Sequence, residues 1–202
     1  MKLIAAVDKN WGIGRNNRLL VNIPEDMQLF RQETNGKVVI MGRKTFESLK
    51  EKSPLYGRKN IVLTTNKSYD AKGAVVCSSV EEVLDAVKDY DDNDIYVIGG
   101  GEIYKEFLPY CDVAHITKID YKYDADTYLE NLDKNRDHLL CRYKSLSSGR
   151  RLYVLFLNEC SNCFQNNLYI QPERECLCIG DIQLLAFFSR KFTGFASFLY
   201  LP

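Results

Sequence analysis

Six short apolar runs, at residues 3–7, 38–41, 59–63, 74–77, 95–98 and 113–119, alternate with helical patterns and polar turns up to about residue 133 of this 202-residue chain. Apolar-rich runs of this length suit strands covered on both faces, and such strands need helices on both sides of their sheet. The alternation therefore predicts an α/β fold, a mostly parallel central sheet with flanking helices. One helix opens at Pro24, a favoured first-turn residue, and stops at Asn35-Gly36. Another is marked by a capping box, Ser79 with Glu82, ahead of Val80, Val83, Leu84 and Val87 at helical spacing. The length suits one domain with a well-buried core.

Charge narrows the partners. The 27 basic and 27 acidic side chains cancel and no basic stripe stands out, which points to a small ligand and away from nucleic acid. The apolar start ends at Asp8, too soon for a secretion signal, and no stretch is long enough to span a bilayer, so a soluble cytoplasmic protein is expected. His115 and His138 have no spaced metal partner. Cys160-x-x-Cys163 followed by Cys176-x-Cys178 has the outline of a zinc knuckle, but without supporting context, and no metal is assigned. After Asp133 the order fades: 134–149 has no clean period, and 151–157 is a candidate strand. The division expected is a core at 1–133 and an atypical tail at 134–202.

Three places carry chemistry. The run at 95–98 breaks into Gly99-Gly100-Gly101 and then a helical pattern through Leu108. A buried strand, residues without Cβ and a helix start let backbone amides approach an anion, because the first helical N–H groups have no partner within the helix. The spacing is not the Gly-x-Gly-x-x-Gly fingerprint, and a glycine cluster serves equally as a tight turn. A second strand-to-helix turn, Gly42-Arg43-Lys44-Thr45, puts two cations and a hydroxyl at a helix start, and Thr64-Thr65-Asn66-Lys67 repeats that chemistry after the next strand. One polyphosphate lying across the carboxyl edge of the sheet would use both. The third place is Asp26, in the first turn of its helix beside Met27 and one turn before Phe30. From position alone it is either a solvated acid favouring the helix dipole or, in an apolar pocket, an anchor for an amidine-like or protonated heterocycle. The glycine-dotted stretch Asn10 to Asn17 reads equally as plain loop or as lid.

In this order, Asn22-Ile23-Pro24-Glu25-Asp26, Val39-Ile40-Met41-Gly42-Arg43-Lys44-Thr45-Phe46-Glu47-Ser48, Gly57-Arg58-Lys59-Asn60-Ile61-Val62-Leu63, Val97-Ile98-Gly99-Gly100-Gly101-Glu102-Ile103-Tyr104 and Asp124-Ala125-Asp126-Thr127 closely resemble bacterial dihydrofolate reductase, from Met1 to about Asp133. The resemblance implies NADPH-dependent reduction of 7,8-dihydrofolate to tetrahydrofolate, with hydride to pterin C6 and a proton to N5. It implies that Asp26 binds the pterin amino group and N3–H and promotes protonation, with Thr117 hydrogen-bonded beside it. Ile4, Ala5, Met27, Phe30 and Leu55 would line the pterin pocket, and Arg58 would grip the glutamate carboxylate. Gly42, Arg43, Lys44, Thr45, Thr64 and Thr65 would serve the cofactor phosphates, including the 2′-phosphate that selects NADPH. Ile98, Gly99, Gly100, Gly101, Glu102, Ile103 and Tyr104 would serve the pyrophosphate and nicotinamide side, with Gly99-Gly100 matching a cis peptide. Ala6 and a lid over 13–19, with Ile13, Gly14, Asn17 and Leu19, would close over the nicotinamide. A monomer is expected.

Two departures accompany the likeness. Leu20-Val21 stands where the family usually has Pro-Trp, so delivery of the proton is open in detail. The family's two closing strands are not recognisable after Asp133, which would leave a sheet edge exposed. Gly149-Arg150-Arg151-Leu152-Tyr153-Val154-Leu155-Phe156 can be encoded so that a one-base shift reads Glu-Glu-Asp-Tyr-Thr-Phe-Tyr, which suggests a reading-frame change in the gene. The alternatives kept open are a pyrimidine reductase of riboflavin synthesis and an inactive relative whose tail serves in binding.

Overall fold

The computed structural model describes residues 1–134 together with the strands at 139–145 and 151–156. In chain order the strands are β1 (Lys2–Val7), β2 (Gly12–Arg15), β3 (Arg18–Leu19), β4 (Val38–Gly42), β5 (Lys59–Leu63), β6 (Val75–Cys77), β7 (Ile95–Gly99), β8 (Val113–Lys118), β9 (Thr127–Tyr128), β10 (Leu139–Ser145) and β11 (Arg151–Phe156). The α-helices are α1 (Pro24–Thr34), α2 (Arg43–Ser48), α3 (Val80–Val87) and α4 (Gly101–Phe107). Eight strands form one sheet in the order β10-β11-β8-β1-β7-β4-β5-β6, and β3-β2-β9 form a small second sheet. From β8 to β6 every pairing in the large sheet is parallel.

The apolar runs are continuous because consecutive residues feed two different layers. Val38 and Ile40 of β4 pack with Ile61, Val97, Val83 and Phe107 on the α3 and α4 side. Val39 and Met41 pack with Ile4, Val62, Tyr96 and Phe46 on the opposite side, where Phe30 of α1 covers them. With side chains alternating across the sheet, a strand buried on both faces is mostly apolar at consecutive positions, and the buried polar exceptions Asn60 and Thr117 are hydrogen-bonded.

Local signals set the helix ends. α1 begins at Pro24, carries Glu25 and Asp26 in its first turn, and ends where Gly36 takes φ 75. At α3 the Ser79 hydroxyl accepts from the Glu82 amide at 3.2 Å. The return half of the box differs from the expectation, since the Glu82 carboxylate reaches past Ser79 to the Ser78 amide at 2.6 Å and its hydroxyl at 2.8 Å. The effect at the helix end is similar, because donors ahead of the first turn are still satisfied.

Two closing strands are present: the candidate strand at 151–157 is β11, and β10, which sequence pattern does not reveal, pairs with it. β11 lies antiparallel on β8, from Arg151 opposite Lys118 to Phe156 opposite Val113, and β10 lies antiparallel on β11 with an irregularity between Arg142 and Lys144. The free edge of β8 is thereby paired. β10 lacks the long apolar run of a central strand, and the partner of either strand is chosen by the exposed edge it meets, which local periodicity does not encode. The cysteines of the knuckle-like pattern, Cys160, Cys163, Cys176 and Cys178, lie outside the described residues, as does His138.

Candidate active site

The carboxyl ends of β4, β5, β6 and β7 open into a cleft of about 1050 Å³. Its walls bring together Asn17, Gly42, Arg43, Lys44, Thr45, Thr64, Thr65, Gly100, Gly101, Glu102 and Ile103, all singled out by sequence. All but Asn17, which comes from the turn between β2 and β3, follow from chain direction: in a parallel sheet all strand ends of one polarity share an edge, so the loops after them converge. Two glycines set how tightly they converge. A Cβ on Gly42 would lie 2.8 Å from Ile103 Cγ1, so β4 and α4 approach this closely only without a side chain there. Gly99 has φ 123, a conformation that L side chains rarely adopt, and the Gly99–Gly100 peptide is cis. A Cβ on Gly100 would stand 3.2 Å from Thr45 Oγ1, which brings the starts of α2 and α4 side by side.

Charge divides the cleft. Arg43 and Lys44 stand on the α2 side, and Arg43 also holds Glu47 one turn on at 2.8 Å. Glu102, Glu106, Asp126 and Glu130 stand on the α4 and β9 side, balanced in part by Lys105. Glu102 is exposed in the first turn of α4, where a carboxylate complements the helix dipole.

On the α1 side of the sheet, Phe30 and Leu55 pack against a buried apolar layer that includes Ile4, Val39 and Met41, a region termed the groove, with one end polar. There the buried Thr117 hydroxyl donates to Asp26 Oδ1 at 2.5 Å. Asp26 itself is half-buried, as is Met27 beside it. Ile4 belongs to this layer with Phe30 and Leu55 packed against it, whereas the side chain of Ala5 packs in the α3 and α4 layer, as alternation along β1 requires. Tyr104 is buried and spans the two regions, its hydroxyl donating to the Ile4 carbonyl at 2.7 Å. Burial, and then the Asp26 charge, push the Tyr104 phenol far above its ordinary value, so it remains a neutral donor.

At the far end of α1, Arg58 lies with its guanidinium carbon 5.8 Å from the centre of the Phe30 ring. Its Nε donates to Thr34 Oγ1 at 2.8 Å, Nη1 to the Tyr56 carbonyl at 2.7 Å and Nη2 to the Arg31 carbonyl at 3.4 Å. These bonds orient the fork against the aromatic ring. Burial and then the neighbouring Arg31 lower the Arg58 pKa.

The stretch Asn10 to Asn17 becomes strand β2 and a turn, not a plain loop. Ile13, Gly14 and Leu19 belong to this β2-β3 hairpin and, with Ala6, Ile98, Gly99 and Tyr104, do not line the cleft itself. The hairpin is tied to the 121–128 segment: Asp126 Oδ2 accepts from the Asn16 amide at 2.7 Å, and Arg15 pairs with Asp124. The Asn16 amide, above all, lowers the Asp126 pKa.

Several residues escape sequence reasoning. Asp8, only 3% exposed, accepts from the Asn10 and Gly12 amides through Oδ1 and from the Tyr123 amide through Oδ2, each at 2.8 Å. It thus joins the start of the hairpin to the segment that clamps it. The signal was an acid closing an apolar run, legible only with partners in view. Ser78, Ser79 and 126–130 also line the cleft, although only the motif at 124–127 was visible beforehand.

A parallel α/β sheet with a broad cleft at its strand ends, and beside it an apolar layer bordered by a hydrogen-bonded carboxylate, has the architecture of an α/β protein whose ligand site lies at the carboxyl edge of its sheet. Comparison with known proteins gives the family. The sequence model described as dihydrofolate reductase matches residues 1–153, and the chain belongs to that family. It is 41% identical over 131 residues to a dihydrofolate reductase of Haemophilus influenzae, covering 65% of this chain and 79% of the relative. A dihydrofolate reductase of Bacillus subtilis is 37% identical over 153 residues, covering 76% and 89%. The solved dihydrofolate reductase of Enterococcus faecalis, complexed with NADP(H) and RAB-propyl, superposes with TM-score 0.67 at 30% identity, covering 77% of this chain and 94% of that one. The match to residue 153 corrects the limit near Asp133, since the likeness continues into β11.

Proposed function

We propose that this chain reduces 7,8-dihydrofolate to 5,6,7,8-tetrahydrofolate with NADPH, supplying one-carbon metabolism. The observation that carries the reading is the Asp26–Thr117 pair at the polar end of an apolar groove, next to a cleft wide enough for a dinucleotide, in a chain of this family.

The residues of the cleft fit the cofactor. Hydroxyls of Thr45, Thr64 and Thr65, cations at Arg43 and Lys44 and the outward amides starting α2 and α4 suit phosphate groups. Bound there, NADPH supplies the hydride. On the substrate side Asp26 takes the pterin amino group and N3–H, with Thr117 fixing the carboxylate's orientation from below. Met27, Phe30, Ile4 and Leu55 exclude water from the ring, and Arg58 takes the glutamate carboxylate at the open end. Asp26 favours protonation of N5 through water, and Val21, in place of the family's usual tryptophan, leaves that water a different neighbour. Among the described residues no helix is long and apolar enough to cross a membrane. The enzyme is proposed to act as a cytoplasmic monomer without nucleic acid.

The test follows loss of NADPH absorbance on adding dihydrofolate. Turnover is expected, and a folded, NADPH-binding protein that gives none refutes the reading. For the tail, the proposal is a shifted reading frame in the gene. Its nucleotide sequence checks this, and absence of a family-like closing strand from both alternative frames ends the idea.

A further inference from the structure

α1 carries two carboxylates seven residues apart, Asp26 and Glu33. Seven residues are close to two turns, so both lie on one face, roughly 10 Å apart along the axis. Each meets a hydroxyl from the sheet. Thr117 of β8 donates to Asp26 at 2.5 Å, and Tyr96 of β7 donates to Glu33 Oε2 at 2.9 Å. β8 and β7 flank β1, where Thr117 is opposite Ala6 and Tyr96 opposite Lys2. The helix therefore crosses three strands obliquely and is fastened to the sheet near each end.

The second fastening is built as carefully as the first. Tyr96 is 2% exposed, with the Lys2 ammonium 5.4 Å from the centre of its ring and the His115 ring tilted against it at 6.0 Å. Burial, followed by the bond to Glu33, raises the Tyr96 phenol well above its ordinary value, so it stays protonated and donating. None of Glu33, Tyr96 and His115 has a part in the function proposed above.

We infer that Glu33 and Tyr96 are positioning residues for Asp26: their hydrogen bond fixes the last turn of α1 against β7, and the helix carries that placement to Asp26 and the groove between. This rests on the reading of the groove as the dihydrofolate site. A three-turn helix is stiff, so release at one end shows as tilt at the other, and small misplacement of a binding group lowers productive binding. Arg58 steadies the same end of α1 through Thr34, so the effect is moderate. The cleft is walled by α2, α4 and the 126–130 segment, none of which belongs to α1, so binding at the cleft does not share the effect.

The variant Tyr96→Phe removes one hydroxyl and keeps the ring. The KM for dihydrofolate is expected to rise roughly three- to tenfold, the size of one hydrogen bond partly transmitted, with NADPH affinity changed less than about twofold. Glu33→Gln, which keeps an acceptor, is expected to retain most of the parent's KM, while Glu33→Ala follows Tyr96→Phe. Amide hydrogen exchange across 24–31 is expected to quicken in Tyr96→Phe and Glu33→Ala. An unchanged KM with unchanged exchange overturns the inference, and so does weakening of both ligands together with a lowered Tm, which is general destabilisation. If the parent gives no dihydrofolate turnover, the functional reading fails, and the exchange comparison alone decides whether Tyr96 fastens α1.

Discussion

The cleft and the groove lie against the same sheet but are made in different ways. The cleft is assembled from loops that follow strand ends, with threonine hydroxyls, helix-start amides and close approaches that glycine permits at Gly42 and Gly100. The groove is assembled from side chains far apart in the chain: Asp26 meets Thr117 across 91 residues and Tyr96 meets Glu33 across 63. A site made from turns announces itself in short motifs, whereas a site made from facing elements exists only after the sheet has chosen its strand order. The difference should also show in energetics. Changes in the groove strike chemistry, and changes in the cleft strike backbone fit and charge.

The hardest test of that contrast is Asp26→Asn, which keeps shape and removes the charge. At neutral pH turnover should fall about a hundredfold or more, the range lost with an acid–base group, while NADPH binding followed by fluorescence stays near the parent value. An unchanged rate would refute the role given to Asp26. Next is Gly42→Ala. Its Cβ would meet Ile103 Cγ1 at 2.8 Å, so the Ile103 side chain or α4 must shift, at a cost of about 1–3 kcal/mol. Urea unfolding should register that loss and NADPH affinity should drop. Full stability with full affinity would mean that the close approach is not needed.

A smaller effect is expected from Lys44→Gln on the exposed wall of the cleft. Cofactor affinity should weaken roughly three- to tenfold at low salt, with the gap closing as ionic strength rises, because exposed charges are screened. A gap that persists in high salt would point to a desolvated contact instead. The smallest change is Ser79→Ala, which removes the hydroxyl that accepts from the Glu82 amide. About 0.5–1 kcal/mol of stability should be lost, as for other N-caps, and a thermal melt within error of the parent would show that Glu82 and Ser78 hold the helix start without it.

Much of this was legible before any fold was known. The apolar runs at 38–41 and 59–63 became β4 and β5, and Pro24 and Ser79 mark the starts of α1 and α3. The triple glycine and the Arg43-Lys44-Thr45 turn could be read as suited to anions because their chemistry is local. Asp26 stayed ambiguous because position in a first turn says nothing about what covers it. Asp8 read only as the end of an apolar run, although three backbone amides converge on it. The candidate strand at 151–157 became β11, but its pairing with β8 and the edge strand β10 were not legible, because an edge strand takes its identity from the edge it completes.

Sequence by itself determined the fold class, the helix starts and the anion-suited turns, since periodicity, capping and glycine conformation act over a few residues. The tertiary structure alone decided that all three of those turns line one cleft, that Thr117 and Tyr96 meet Asp26 and Glu33 of α1, and that Ala5 faces away from Ile4's layer. The physical reason is range. Hydrogen bonds between distant residues and the pairing of strands depend on which surfaces the whole chain brings together, and no short segment contains that information.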